Sequence, residues 1–234
     1  MVASSLQNAR IPRLSGGNPD ILASVLADLL PPGAVAVERR DDNDPAPLFP
    51  VEEAAVAGAV AKRRQEFATT RQCARDALAL LGLPAVPLPR GADGAPVWPP
   101  GIVGSLTHCA GYRAAAVARV TDVAGLGIDA EPDEPLPAGV LDLVAGADER
   151  AALPTVGPHW DRLLFCAKEA LYKAWSPLTG RWLGFEEARV AFAADGTFSV
   201  RVLVDGAGER TRFEGRWKAA PGLLIASVTV NLTG

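Results

Sequence analysis

The stretch Trp160-Asp-Arg-Leu-Leu-Phe-Cys-Ala-Lys-Glu-Ala-Leu-Tyr-Lys-Ala-Trp175 reads as one amphipathic helix. Leu163, Cys166, Ala167, Ala170, Leu171 and Ala174 recur at helical spacing and form an apolar stripe. Phe165, Glu169, Tyr172 and Lys173 fall on a different side, with Lys168 at its edge. Ser176-Pro177 is expected to end the run, because proline lacks an N–H and pushes the residue before it out of the α region. Two readings fit the polar side. Glu169 and Lys173 are either an i,i+4 surface pair on a core helix or groups aimed at a ligand.

Upstream, Gly125-Leu-Gly-Ile-Asp-Ala-Glu131 has the composition of a strand. Asp129 and Glu131 are i,i+2 on it, so both carboxylates leave the same side. Side by side in an apolar strand they either face water at its end or share a cation. All-oxygen ligands suit Mg²⁺, with Mn²⁺ meeting the same requirement. Thr121-Asp122 just before this strand is a polar hinge that divides the chain into residues 1–122 and 123–234. Between strand and helix, residues 132–158 are rich in proline, glycine and acid, with short helices expected at Gly139–Val144 and Asp148–Leu153. Downstream, strands are expected at 188–193, 197–204, Thr211–Lys218 and Leu223–Val230. Asp195-Gly196 and Pro221-Gly222 are the turns between them.

The first part of the chain has a parallel layout. Residues 1–18 carry no periodic pattern. Asp20 can cap a helix in which Ile21, Leu22, Val25, Leu26, Leu29 and Leu30 share a face. Ala34–Arg39 is a strand candidate. Glu52–Leu81 is helical in composition but long for one helix, and Thr69-x-x-Gln72 resembles an internal capping box. The spacing therefore predicts two helices, 51–66 and 70–81. Arg63 ends the first and Arg71 lines the second, either on a solvated basic face or in a pocket where guanidinium groups fork onto phosphate. Arg90-Gly-Ala-Asp-Gly-Ala-Pro96 is a turn. Ile102–Leu106 and Arg113–Val120 are strands joined by a turn, Thr107–Tyr112, that holds His108.

The totals narrow the function. Of 234 residues, 49% are hydrophobic and 21% charged, which predicts a packed core. A net charge of −4 argues against a general nucleic-acid binder. No uninterrupted apolar run approaches the ~18 residues of a membrane span, and no signal-peptide pattern follows Met1. The three cysteines, Cys73, Cys109 and Cys166, lack zinc or disulfide spacing and suit a reducing compartment. The expectation is a soluble, cytoplasmic protein.

Gly127-Ile-Asp-Ala-Glu131 followed about forty residues later by Phe165-Cys-Ala-Lys-Glu-Ala-Leu-Tyr-Lys173 resembles the signature pair of the 4′-phosphopantetheinyl transferases. These enzymes move phosphopantetheine from coenzyme A to a serine of a carrier protein. Lys62-Arg-Arg-Gln-Glu-Phe-Ala-Thr-Thr-Arg-Gln-Cys-Ala-Arg75, Val103-Gly-Ser-Leu-Thr-His-Cys-Ala-Gly-Tyr-Arg113 and Ala174-Trp-Ser-Pro-Leu-Thr-Gly-Arg-Trp-Leu-Gly-Phe185 resemble the surfactin-type branch, nearest its enterobactin component D-like and actinobacterial groups. The resemblance covers roughly residues 50–190. It implies an α+β fold of two pseudo-symmetric halves, each a small antiparallel sheet with a long helix. The active site would lie in the cleft between a coenzyme A phosphate-binding half (1–122) and a metal-binding, catalytic half (123–234).

Carried over by position, the resemblance implies that Asp129, Glu131 and Glu169 hold Mg²⁺. It implies that Arg63, Arg71, Arg90, Ser105 and His108 contact coenzyme A, together with Lys168 and Lys173. Glu169, Lys173 and Lys168 would be the catalytic groups: Glu169 as base for the carrier serine, Lys173 at the departing 3′,5′-ADP. The implied partners are coenzyme A and apo acyl or peptidyl carrier proteins, with no nucleic acid or membrane, and the implied state is a monomer. Two positions depart from the family's habit: Arg90 stands where lysine is frequent, and Ser176 where an aromatic residue often follows Trp175. A reading from another class is a non-catalytic coenzyme A-binding or carrier-docking module of the same fold. It would require the arginines more than the acids.

Overall fold

The computed structural model describes residues 24–91, 94–204 and 211–232. The expected arm over 1–18 and the start of the helix capped by Asp20 lie outside these residues. What is described of that segment is a 3-10 turn, Ala27–Leu29, with Leu26 and Leu29 buried.

Two antiparallel sheets follow one another along the chain. The first contains β1 (Val35–Arg39), β2 (Ile102–Cys109) and β3 (Tyr112–Arg119) in the order β1-β3-β2. The second contains β4 (Gly125–Pro132), β5 (Ala188–Phe192), β6 (Thr197–Val202), β7 (Arg212–Ala220) and β8 (Leu223–Val230), in the order β4-β8-β7-β6-β5. A short helix α1 (Pro50–Ala55) precedes α2 (Ala61–Leu80), which packs on the first sheet. Two one-turn helices, α3 (Val140–Val144) and α4 (Ala147–Ala151), precede α5 (Trp160–Thr179), which packs on β4 and β8. This is the α+β fold of two sheet-and-helix halves that the sequence predicts. Among the described residues, no helix is long and apolar enough to cross a membrane.

Strand alternation explains how one sequence serves both sides of β4. Leu126, Ile128 and Ala130 face a core shared with the first half, containing Tyr112, Ala114 and Ala116 of β3 and Leu26 and Leu29. The intervening Gly125, Gly127, Asp129 and Glu131 leave the opposite face. There a Cβ on Gly127 would stand 2.0 Å from the Ala170 carbonyl oxygen of α5, so only glycine admits the helix this close. The apolar stripe of α5, Cys166, Ala167, Ala170, Leu171, Ala174 and Trp175, closes the second core against Phe198, Phe213 and Val228. Each large apolar side chain buried in such a layer contributes about 1.5–3 kcal/mol.

The halves also meet through hydroxyl groups. β2 runs beside β4 without laddering to it. Instead the Ser105 hydroxyl accepts the Ile128 N–H at 3.0 Å, and the Thr107 hydroxyl accepts the Ala130 N–H at 3.0 Å. The segment before β1 contributes too: the Ser227 hydroxyl donates to the Leu29 carbonyl at 2.8 Å.

Three local expectations are corrected. The long helical stretch divides at residues 56–60, not at 67–69, and α2 is unbroken from Ala61 to Leu80. Thr69 and Thr70 do not cap. Their hydroxyls fold back onto the Gln65 and Glu66 carbonyls at 3.0 and 2.7 Å, and the chain breaks where Gly58 lies. The β2–β3 turn is only Ala110-Gly111, with Gly111 at φ 69°, so His108 is on strand β2. Finally, α5 passes through Pro177. The turn beyond it is held by the Thr179 hydroxyl on the Trp175 carbonyl at 3.0 Å and by the Gly180 N–H on the Ser176 carbonyl at 2.8 Å. Gly180, at φ 63°, ends it.

Candidate active site

A cavity of about 910 Å³ opens between the halves. Arg63, Phe67 and Arg71 of α2, the Arg90 turn and β2 line one wall, and Glu169, Tyr172, Lys173 and Ser176 of α5 line the other.

The first wall is cationic. Arg71 is nearly buried, stacked over the Phe67 ring at 4.3 Å. Burial lowers its pKa to about 10 against the pull of Glu52, so it stays charged at neutral pH. Its Nε lies 3.9 Å from Glu52 Oε1 and makes no hydrogen bond among the described residues, leaving a buried donor for an anion. Glu52 is the hub behind it. Its carboxylate accepts from Arg75 at 3.1 Å, from the Phe49 N–H at 2.9 Å and from the Leu88 N–H at 3.0 Å, two residues before Arg90. Arg90 itself is exposed and donates to the Gly94 carbonyl at 3.2 Å, closing its turn. Arg63 donates to His108 Nε2 and lies 3.5 Å from Glu66. Desolvation and the Arg63 charge lower the His108 pKa, so the ring is neutral and accepts this bond. Ser105 borders the cavity, but its hydroxyl is engaged by Ile128.

On the second wall Glu169 and Lys173 line the cavity, while Asp129 and Glu131 of β4 lie behind them and are not among its lining residues. Asp129 is buried. Its Oδ1 accepts from Lys173 Nζ at 2.7 Å and from the Thr107 hydroxyl at 3.1 Å, while its Oδ2 is buried with no hydrogen bond among the described residues. Lys173 also donates to the Ile128 carbonyl at 3.1 Å. Burial opposes its charge, but Asp129 and Glu169 more than offset this and raise its pKa. Glu169 makes no hydrogen bond or ion pair among the described residues, and burial and then Asp129 raise its pKa. Glu131 pairs with Arg162 at 2.9 Å. Burial and Asp129 raise its pKa in spite of that arginine. Among the described residues, no three His, Cys, Asp or Glu side chains are gathered tightly enough to hold a metal ion as they stand. Glu131 is turned to Arg162 and Asp129 to Lys173. The donor set nonetheless fits a hard divalent cation. It consists of oxygens only, Asp129 disfavours ionisation of both glutamates, and Asp129 Oδ2 accepts no hydrogen bond among the described residues.

Lys168 lies apart from the other expected site residues. It does not line the cleft and borders only a recess of about 260 Å³ beside it. Its ammonium is spent on the Val144 carbonyl at 2.7 Å, Glu149 at 2.7 Å and the Phe185 carbonyl at 2.9 Å. All three ammonium protons are thereby used within the protein. Cys166 is buried and its pKa lies well above the ordinary thiol value, which fits packing rather than nucleophilic chemistry. Sequence reasoning missed Glu52, Thr107, Glu149 and Arg162. None carries a periodic or motif signal, because each acts on a partner nineteen or more residues away or on an unremarkable backbone N–H.

Comparison with known proteins follows the same division. A model of the 4′-phosphopantetheinyl transferase N-terminal domain matches residues 51–118, and a model of the 4′-phosphopantetheinyl transferase superfamily matches residues 125–221. The chain is 54% identical over 219 residues to 4′-phosphopantetheinyl transferase Svp of Streptomyces mobaraensis, covering 88% of this chain and 89% of that one. It is 50% identical over 202 residues to 4′-phosphopantetheinyl transferase PptT of Mycobacterium tuberculosis, covering 80% and 89%. A more distant match is enterobactin synthase component D of Salmonella typhi, 32% identical over 132 residues and 55% of each chain.

Proposed function

The chain belongs to the 4′-phosphopantetheinyl transferase superfamily, and from that premise we propose how its own residues carry the reaction. The enzyme transfers 4′-phosphopantetheine from coenzyme A to a carrier protein. The observation that carries the assignment of roles is that one cavity brings the buried, donor-rich Arg71 and the Arg63–His108 pair opposite Glu169 and Lys173.

In this reading the half before the hinge at 122 binds the phosphates of coenzyme A. Arg71 supplies its unused Nε–H, Arg63 and Arg90 supply charge, and neutral His108 follows the phosphate as Arg63 turns to it. The half after the hinge carries the chemistry. Asp129, Glu131 and Glu169 would hold Mg²⁺ or Mn²⁺, an ion that when bound neutralises diphosphate charge as the phosphorus–oxygen bond breaks. Glu169, without a competing partner and with a raised pKa, takes the proton of the carrier serine hydroxyl as its oxygen attacks phosphorus. Lys173 is held protonated by Asp129 and Glu169 and donates toward the oxygen of the departing 3′,5′-ADP. We further read the enzyme as a cytoplasmic monomer acting on apo acyl or peptidyl carrier proteins. Its three cysteines are all free thiols, in keeping with a reducing compartment.

The test is mass spectrometry of a panel of apo carrier proteins incubated with coenzyme A and Mg²⁺. The expected result is a carrier mass raised by one phosphopantetheine with wild-type enzyme, and a rate reduced at least ~10²–10³-fold by Asp129→Ala with an unchanged melting profile. Near-normal transfer by Asp129→Ala would remove Asp129 from the cation site. A carrier panel that never gains mass with folded enzyme would overturn the activity.

A further inference from the structure

Asp129 belongs to the second half, but a residue of the first half holds its carboxylate. Thr107 lies on β2 and is buried. Its hydroxyl has one proton and two lone pairs. Accepting the Ala130 N–H at 3.0 Å uses a lone pair, which frees the proton for Asp129 Oδ1 at 3.1 Å. The direction of both bonds is therefore fixed by counting. Lys173 Nζ approaches the same Oδ1 at 2.7 Å. Two donors on one oxygen set the carboxylate's rotation and leave Oδ2, the buried atom without a partner, as the one still available. Ser105, two residues earlier on the same face of β2, makes the matching bond to the Ile128 N–H but touches no acid of the cleft. The contact with Asp129 thus goes beyond what joining the halves requires.

We infer that Thr107 is a positioning residue that orients Asp129 Oδ2 for a divalent cation from across the interface between halves. The inference rests on the reading of Asp129 as a cation ligand. A hydroxyl in this place does for a carboxylate ligand what outer partners do at metal sites generally, fixing orientation at little cost in net charge.

The experiment titrates Mn²⁺ alone into the coenzyme A complex by calorimetry, for wild type, Thr107→Val and Thr107→Ser. Coenzyme A affinity without metal and the melting temperature are measured alongside. Thr107→Val keeps the shape and drops the hydroxyl, so Mn²⁺ binding should weaken about tenfold. Metal-free coenzyme A affinity should stay within about twofold, because Thr107 is not among the residues that line the cavity. Thr107→Ser keeps the hydroxyl and should restore Mn²⁺ binding to within about twofold. The Mg²⁺ concentration giving half-maximal transfer should move by the same factor as Mn²⁺ affinity. If Thr107→Val does not fold, Thr107→Ala, which lets water reach the Ala130 N–H, is measured in its place.

Unchanged Mn²⁺ affinity in the hydroxyl-free variant overturns the inference and leaves the activity standing. Parallel loss of Mn²⁺ and coenzyme A affinity, with no rescue by serine, also overturns it, because the role is then that of a structural seam. A wild-type protein that transfers phosphopantetheine yet binds no Mn²⁺ overturns both this inference and the metal assignment. One that transfers to no carrier overturns the activity itself.

Discussion

The helices α2 and α5 are each twenty residues long, and each packs on an antiparallel sheet, yet they bury charge for opposite purposes. Behind α2, Glu52 sits between Arg75 and Arg71 and leaves the buried Arg71 Nε without a hydrogen bond among the described residues. Behind α5, Glu149 takes Lys168 out of the cleft altogether. Its other oxygen accepts the Val190 N–H at 2.7 Å, so the pair ties the segment before α5 to β5. One buried carboxylate thus leaves its cation incompletely paired beside the cleft, and the other pairs its cation completely. Charge burial in this fold is functional where the pairing is incomplete and structural where it is complete.

The contrast between complete and incomplete pairing is broken most directly at the two lysines of α5. Lys168→Met strands Glu149 in the interior, and a buried pair broken on one side costs about 3–5 kcal/mol. Urea unfolding should show that loss, while kcat of the folded fraction changes only severalfold. Lys173→Met should do the reverse. Its side chain is 28% exposed and Asp129 keeps Thr107, so stability should fall less than in Lys168→Met. The loss of charge at the leaving group should lower kcat by about 10²–10³-fold. A Lys168→Met protein with unchanged unfolding and a collapsed kcat would return Lys168 to the catalytic wall.

The same contrast explains what could be read in the sequence. α5 was legible because its buried face is a continuous apolar stripe, and the acid pair of β4 because i,i+2 spacing fixes a common side. α2 was not, because it buries Thr69, Thr70, Arg71 and Arg75 along with Cys73, Ala74, Ala77 and Leu78. A helix that buries arginines on a distant glutamate has no clean hydrophobic period, so its limits were misplaced. Glu169 entered the site through family resemblance, since its spacing to Lys173 suits a surface pair equally well. The pairing of Lys168 was not legible for a related reason. Its partner Glu149 lies 19 residues upstream in an acidic segment where no pattern singles it out.

Arg71 provides the next test of the comparison. If the first half reads phosphate and the second does chemistry, Arg71→Ala should raise KM for coenzyme A by roughly thirtyfold, about 2 kcal/mol for a charged hydrogen bond, and leave kcat nearly unchanged. Glu52 keeps Arg75, so the fold should survive. Arg71→Lys should recover little, because a point charge replaces the planar fork stacked on Phe67. Steady-state kinetics with coenzyme A as the varied substrate separate the two parameters. A fall in kcat equal to that of Lys173→Met would erase the division of labour.

The smallest effect concerns His108, where the two halves differ in the sign of their titrations. On the acidic side, burial and then neighbouring carboxylates raise the pKa values of Glu131 and Glu169. On the cationic wall, desolvation and Arg63 lower that of His108 below its ordinary value of 6.5. A histidine with a depressed folded pKa binds fewer protons folded than unfolded. Its contribution to stability is therefore complete above about pH 6.5 and is lost as the pH falls through the folded pKa. A phosphate brought between Arg63 and His108 reverses the local field and raises that pKa, so coenzyme A binding near pH 6 should take up a fraction of a proton at this ring. Calorimetry in buffers of different ionisation enthalpy measures the uptake, and His108→Gln should reduce it while weakening binding by only about 1 kcal/mol. Equal uptake by both proteins would place the phosphate elsewhere on the wall, with Arg71 and Arg90 as its remaining anchors.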